Sequence, residues 1–247
     1  MSRLLDAARV RARVARHRGD TVHCPLCDNS FDQFREAWNR PNALCWRCGA
    51  HERHRAQWLL FERRPELLQQ ASSLLHLSPE WCLRHRLEQV PGLRYVTSDL
   101  DIDPIHPTDL RLDVTNLELP DAAFDAVICS HVLEHVPDDA AAMRELRRVT
   151  APGGFTLVMV PLALDRASTY EDAAITAPED RRREFLQHDH VRLYARDITV
   201  RLSAPGFAVE TVDLAAELGP EGAARHGLLA SDLIFLCRPV GNCPAEG

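Results

Sequence analysis

Residues 111–161 read RLDVTNLELPDAAFDAVICSHVLEHVPDDAAAMRELRRVTAPGGFTLVMVP. Within this stretch Phe124–Ser130 (FDAVICS) is a nearly unbroken apolar run. That is the pattern of a strand buried on both faces of a parallel sheet. Asp138–Val149 then reads as a helix. Met143, Leu146 and Val149 supply its inner face, acids open it, and Arg147 and Arg148 occupy its last turn, where cations complement the helix dipole. Pro152-Gly153-Gly154 stops the helix, and Phe155–Val160 (FTLVMV) reads as the next strand. Strand, helix and strand at this spacing form the repeating unit of a doubly wound α/β sheet.

The flanking sequence continues the alternation. Upstream, strands are expected at Ser73–Ser78, Arg94–Asp99 and Leu110–Val114, with a helix over Glu80–Val90 that ends at Pro91-Gly92. Downstream, a long connection over Pro161–Leu193 precedes a helix near Arg196–Ser203 and strands at Phe207–Asp213 and Asp232–Cys237. Ligands of such sheets bind beyond the carboxyl ends of the strands. The residues there are Ser78, Asp99, Asp113-Val114 and Ser130-His131. Two carboxylates at adjacent strand ends suit a nucleoside, one for ribose hydroxyls and one for an adenine amino group. Acids that merely cap loops are the alternative.

The first 65 residues differ in character. They hold 13 arginines against 7 acids, whereas residues 66–247 hold 16 arginines against 29 acids, within a net charge of −7 for 247 residues. A basic head on an acidic body suggests two modules. Cys24, Cys27, Cys45 and Cys48 form C-x2-C-x17-C-x2-C, the spacing of a four-thiolate structural zinc site. Four free thiols or two disulfides are the other readings. Cys82, Cys129, Cys237 and Cys243 have no such spacing. Residues 2–18 carry helical spacing with abundant arginine, either an arm for phosphate-bearing partners or a solvated face. A helix from about His51 past Phe61, broken near Pro65, is expected to join the modules. The expected domains are 1–19 (basic arm), 20–65 (zinc-ribbon module and connecting helix) and 66–240 (cofactor-binding domain).

Composition narrows the class. A chain that is 45% hydrophobic and 26% charged is that of a folded protein. No apolar run reaches the length of a membrane span. The charged N-terminus lacks a secretory pattern, so a cytoplasmic location is expected.

The 111–161 stretch resembles the central and C-terminal motifs of class I S-adenosylmethionine-dependent methyltransferases, of the type 11 kind. The acid-rich strand end, the H-x-L-E-H segment (His131–His135), the following helix and the P-G-G strand stand in that family's order. The similarity extends weakly from about Ser72 to Arg238. It implies a Rossmann-like seven-stranded sheet with a reversed last strand. By resemblance, Asp99, with Leu100 beside it, is the ribose-binding acid. Asp113 and Val114 contact adenine, and Ser130 and His131 run beneath the methionine portion. The family's usual acidic, glycine-rich first loop is replaced here by His76-Leu77-Ser78-Pro79-Glu80. The expected cofactor set therefore includes His76, Ser78 and Glu80. A family subset with L-H-x-[AS]-P-E behind a cysteine-rich head is similar.

The resemblance implies methyl transfer to an oxygen or nitrogen acceptor, small or carbohydrate-like. The cofactors implied are S-adenosylmethionine and a structural zinc ion. His188, Asp189 and His190 are expected to be catalytic, one imidazole taking a proton and Asp189 orienting it. Arg192 is a candidate anchor for an anionic acceptor, and His135 is a second candidate base. The bland alternative is a structural Asp189–Arg192 ion pair beside a packing Tyr194. An RNA methyltransferase or a catalytically inactive zinc-headed binding module is the alternative function. The acidic body disfavours extended contact with nucleic acid, and no membrane contact is expected.

Overall fold

Seven strands form one mixed sheet: β1 (Ser73–Leu77), β2 (Arg94–Asp99), β3 (Leu110–Arg111), β4 (Phe124–Ser130), β5 (Thr150–Met159), β6 (Phe207–Val212) and β7 (Ile234–Pro239). Their spatial order is 6-7-5-4-1-2-3. Strands 1 to 5 run parallel, and β7 runs antiparallel to both β5 and β6. The order reverses between β1 and β4, which opens a crevice at their carboxyl ends. This is the Rossmann-like arrangement expected from the sequence, reversed last strand included.

β1 is buried along its whole length and β4 at all positions but Asp125. That explains why both read as apolar runs. Leu75, Val127, Leu146, Val158 and Phe235 meet in the core between the sheet and its helices. The helix Asp139–Val149 is capped by Asp138, whose carboxylate accepts the Ala141 N–H at 2.8 Å. It ends at Val149, before the P-G-G sequence. β5 begins at Thr150 and passes through that sequence instead of starting after it. Gly154 permits this passage: a Cβ there would lie 2.3 Å from the Asp125 carbonyl oxygen on β4.

The structure, a computed structural model, describes residues 2–101, 103–105 and 107–241. Cys243 lies outside them. Two compact units are present. One takes in the chain up to Leu67 with Glu80–Gln89 and Asp213–Asp232; the other takes in Leu68–Pro79, Val90–Val212 and the chain from Leu233 on. Residues 80–89 and 213–232 therefore pack with the cysteine-rich head, although a domain from 66 to 240 was expected to contain them.

In the head unit, the strands Arg18–Cys24 and Asn29–Phe31 pair antiparallel, as do Arg35–Ala37 and Arg40–Leu44. The helices Ser2–Arg16, Glu52–Arg63, Trp81–Leu87 and Leu214–His226 complete most of it. Arg55 is fully buried here. Its guanidinium donates to five carbonyl oxygens: Ala43 (3.0 Å), Ala50 (2.7 Å), Asn42 (3.1 Å), His226 (2.6 Å) and Gly227 (3.0 Å). It also stacks 4.0 Å from the Phe34 ring centre. One arginine thus ties the cysteine loops to the end of the 214–226 helix. Among the described residues no helix is long and apolar enough to cross a membrane.

Candidate functional site

The two cysteine pairs are held by short turns. The Gly49 N–H bonds the Cys45 carbonyl at 3.1 Å, and Gly49 takes a φ of +71°, which glycine tolerates without strain. The Arg47 N–H points at the Cys45 sulfur at 3.4 Å. The sulfurs of Cys24 and Cys48 lie 3.7 Å apart, and those of Cys27 and Cys45 lie 3.5 Å apart. Four sulfurs bound at ~2.3 Å to one centre stand about 3.8 Å from each other. The donor set and its spacing fit a tetrahedral thiophilic ion. Neighbouring sulfurs, together with burial, hold the Cys24 thiol well above its ordinary pKa. None of the other described cysteines joins the cluster.

The second site is a crevice of about 600 Å³ beyond β1, β2, β3 and β4. Of the sequence-predicted residues, Ser78, Asp99, Leu100, Asp113, Val114 and His131 line it. Asp99 ends β2. Its Oδ1 accepts the Leu100 N–H at 2.8 Å, and its Oδ2 accepts the Ser78 hydroxyl at 3.0 Å. Asp113 folds back on itself: its Oδ1 accepts the Thr115 N–H at 2.8 Å and the Thr115 hydroxyl at 2.7 Å. This turn ends β3 at Arg111, short of the expected Val114. Ser78 has a φ of +50° and His131 a φ of +54°. Left-handed backbone at residues with a side chain is strained, and here it falls at the ends of the two central strands facing the crevice. Ser78 keeps the turn that a glycine ordinarily makes, and it adds a hydroxyl aimed at Asp99.

Three predicted cofactor residues stand elsewhere. His76 is fully buried within the sheet, with Nδ1 2.8 Å from the Tyr95 hydroxyl. Ser130 ends β4 and is buried, off the crevice lining. Glu80 belongs to the head unit, where its carboxylate meets His54 Nε2 at 3.1 Å.

The predicted catalytic trio is also split. His188 is exposed and only approaches Asp189, at 3.6 Å. His190 is buried, with Nδ1 2.9 Å from the Phe185 carbonyl oxygen. Burial lowers its pKa, against the pull of Glu134. His135, like His131, reaches the crevice, and it packs edge-on to His190 with ring centres 4.7 Å apart. Its Nδ1 lies 3.2 Å from Asp189 Oδ2.

Arg192 does not face an acceptor. It is 3% exposed. Its guanidinium donates to the carbonyls of Leu133 (2.9 Å), Val136 and Pro137 (2.9 Å) and to Glu171 Oε2 (2.9 Å). Its ion partners are Glu171 and Asp139, not Asp189. Tyr194 is buried and donates to Asp139 at 2.7 Å. Arg192 thus clamps the 133–137 turn that presents Glu134 and His135. Arg192→Met is expected to destabilise the sheet unit by about 3–5 kcal/mol, because it leaves carbonyls buried without donors. Chemical denaturation checks this; an unchanged midpoint contradicts the clamp.

Residues 64–158 match the family described as methyltransferase domain. A probable S-adenosylmethionine-dependent methyltransferase from Mycolicibacterium smegmatis is 35% identical over 118 residues, which are 47% of this chain and 41% of that protein. A ubiquinone biosynthesis O-methyltransferase from Alkalilimnicola ehrlichii is 32% identical over 83 residues, or 30% of this chain and 34% of that protein. The chain thus spans well under half the length of the curated relatives it matches. Among solved structures, the 1,6-didemethyltoxoflavin-N1-methyltransferase of Burkholderia thailandensis superposes with a TM-score of 0.48 at 14% identity, covering 77% of this chain and 79% of that one.

Proposed function

We propose, from the match of residues 64–158 to the methyltransferase domain family, that the chain is an S-adenosylmethionine-dependent methyltransferase acting on a small or carbohydrate-like acceptor through oxygen or nitrogen. The observation that carries this reading is the pair of carboxylates, Asp99 and Asp113, lining one crevice from adjacent strand ends. Its volume of about 600 Å³ suits a nucleoside-sized ligand.

Asp99, held by Ser78 and Leu100, accepts the ribose hydroxyls. Asp113 keeps its second oxygen for the adenine amino group, and Val114 and Leu112 give the base an apolar wall. His131 lies toward the methionine end. The bound cofactor supplies an activated methyl group on a sulfonium. The protein's own contribution is to align the acceptor with that methyl and to keep water out, and proximity of this kind supplies much of the acceleration. His135, oriented by Asp189, faces the acceptor. The four cysteines hold a zinc ion that folds the head and, with its shell filled, takes no part in methyl transfer.

Several relatives carry quinone-pathway names, the ubiquinone biosynthesis and demethylmenaquinone methyltransferases, which is consistent with a small-molecule acceptor. Incubating the protein with isotope-labelled donor and cell extract tests the class. Label is expected in the low-mass fraction. Label confined to RNA contradicts the acceptor, and no label above a protein-free control contradicts the activity.

A further inference from the structure

Glu134, His135 and His190 bring one carboxylate and two imidazoles within 4.8 Å of one another, beside the crevice. Each detail of their surroundings leaves a donor atom free. Glu134 is 1% exposed, and neither of its carboxylate oxygens has a hydrogen-bond partner. His131 Nδ1 approaches one of them at 3.2 Å, without hydrogen-bond geometry. A buried carboxylate in that condition is costly unless a cation answers it. His190 must carry its proton on Nδ1, because the atom facing it at 2.9 Å is the Phe185 carbonyl oxygen, which only accepts. His135 Nδ1 lies 3.2 Å from Asp189 Oδ2, an oxygen that accepts, and this contact favours the same tautomer. In both rings the lone pair is therefore on Nε2. An imidazole whose far nitrogen donates to a carboxylate or a backbone carbonyl is the arrangement that orients histidine as a metal ligand.

We propose that Glu134, His135 and His190 hold a divalent transition-metal ion, distinct from the one at the four cysteines. Two nitrogens and one oxygen suit zinc, manganese or ferrous iron better than magnesium or calcium, which prefer all-oxygen shells. Donors bound at about 2.1 Å stand at most about 4.2 Å apart, so small side-chain adjustments close the trio on an ion. Three protein ligands leave coordination positions open. His135 lies on the crevice wall, which brings the trio to the edge of the space an acceptor would occupy.

The substrate class follows, and this part rests on the methyl-transfer reading. An acceptor that bonds the ion through a hydroxyl oxygen becomes more acidic there, as metal-bound water does. Its O–H proton leaves to water, and the oxygen forms a bond to the methyl carbon. The sulfur–methyl bond then breaks, and S-adenosylhomocysteine departs. The geometry thus favours oxygen over nitrogen, and a hydroxyl-bearing acceptor.

The test counts metal in the full-length protein. Metal retained after purification is measured by mass spectrometry, and Mn2+ taken up is measured by loss of the free-ion paramagnetic resonance signal. S-adenosylhomocysteine binding is recorded on the same samples as a check on folding. Wild-type protein is expected to hold one more ion per chain, retained plus taken up, than Glu134→Gln, which keeps the shape of the side chain. His190→Ala serves as the second variant and is expected to lose the same ion. Equal counts in wild type and in whichever variant still binds S-adenosylhomocysteine overturn the site. Metal without S-adenosylhomocysteine binding in the wild type leaves the site standing and removes the methyl-transfer reading. S-adenosylhomocysteine binding without the extra ion removes only the site.

Discussion

Asp99→Ala is expected to weaken S-adenosylmethionine binding by roughly 100-fold, as measured by equilibrium dialysis with labelled cofactor. A hydrogen bond to a charged group contributes about 1.5–3 kcal/mol, and one carboxylate facing two ribose hydroxyls makes two of them. Asp99 is also the acceptor for the Ser78 hydroxyl and the Leu100 N–H, so its loss loosens the turn that shapes the crevice. Asp99→Asn keeps the shape and removes the charge, and is expected to fall between wild type and alanine. Equal affinity in all three proteins contradicts the placement of ribose at this strand end.

The second large effect concerns the head. Replacing Cys24 and Cys27 together by serine is expected to remove one zinc ion per chain and to unfold the head unit, because a structural zinc ion contributes about 10 kcal/mol or more to a small module. The two compact units make the expectation specific. Protection from proteolysis should disappear over residues 20–67, and equally over 80–89 and 213–232, which pack with the head. Arg55 links these segments through its bonds to Ala43, Ala50, His226 and Gly227. Arg55→Met is therefore expected to produce the same pattern more weakly. Protection retained at 213–232 in the double variant contradicts the joint unit.

The sheet was legible because β1 and β4 are buried on both faces, and burial on both faces writes a continuous apolar run. The four cysteines were legible from spacing alone. Local pattern failed where a side chain or a distant contact decides the outcome. The Asp113 turn ended β3 early by capturing Thr115, which no periodicity shows. The Leu214–His226 helix was missed because Gly219 and Pro220 interrupt it, and Gly219 has a φ of +70°. The packing of residues 80–89 and 213–232 with the head depends on contacts far apart in sequence, such as His54 with Cys82 and Arg225 with Asp20.

The polar cluster before the last helix of the sheet unit was misread in a related way. Arg192 has the look of an anion anchor, yet the fold buries it and spends its donors on carbonyls. His190 is turned inward, whereas His135, set next to it by the turn that Arg192 clamps, reaches the crevice. Glu134 stood inside the quoted H-x-L-E-H segment without a role. Only its burial without a hydrogen-bond partner marks it out, and burial cannot be read from a five-residue motif.

The account depends most on the crevice beyond β1 to β4 being an adenosine site. Titration calorimetry of the wild-type chain with S-adenosylhomocysteine tests that directly. It should give saturable binding of one ligand per chain. No heat at two temperatures, from protein whose circular dichroism shows an intact fold, would contradict it.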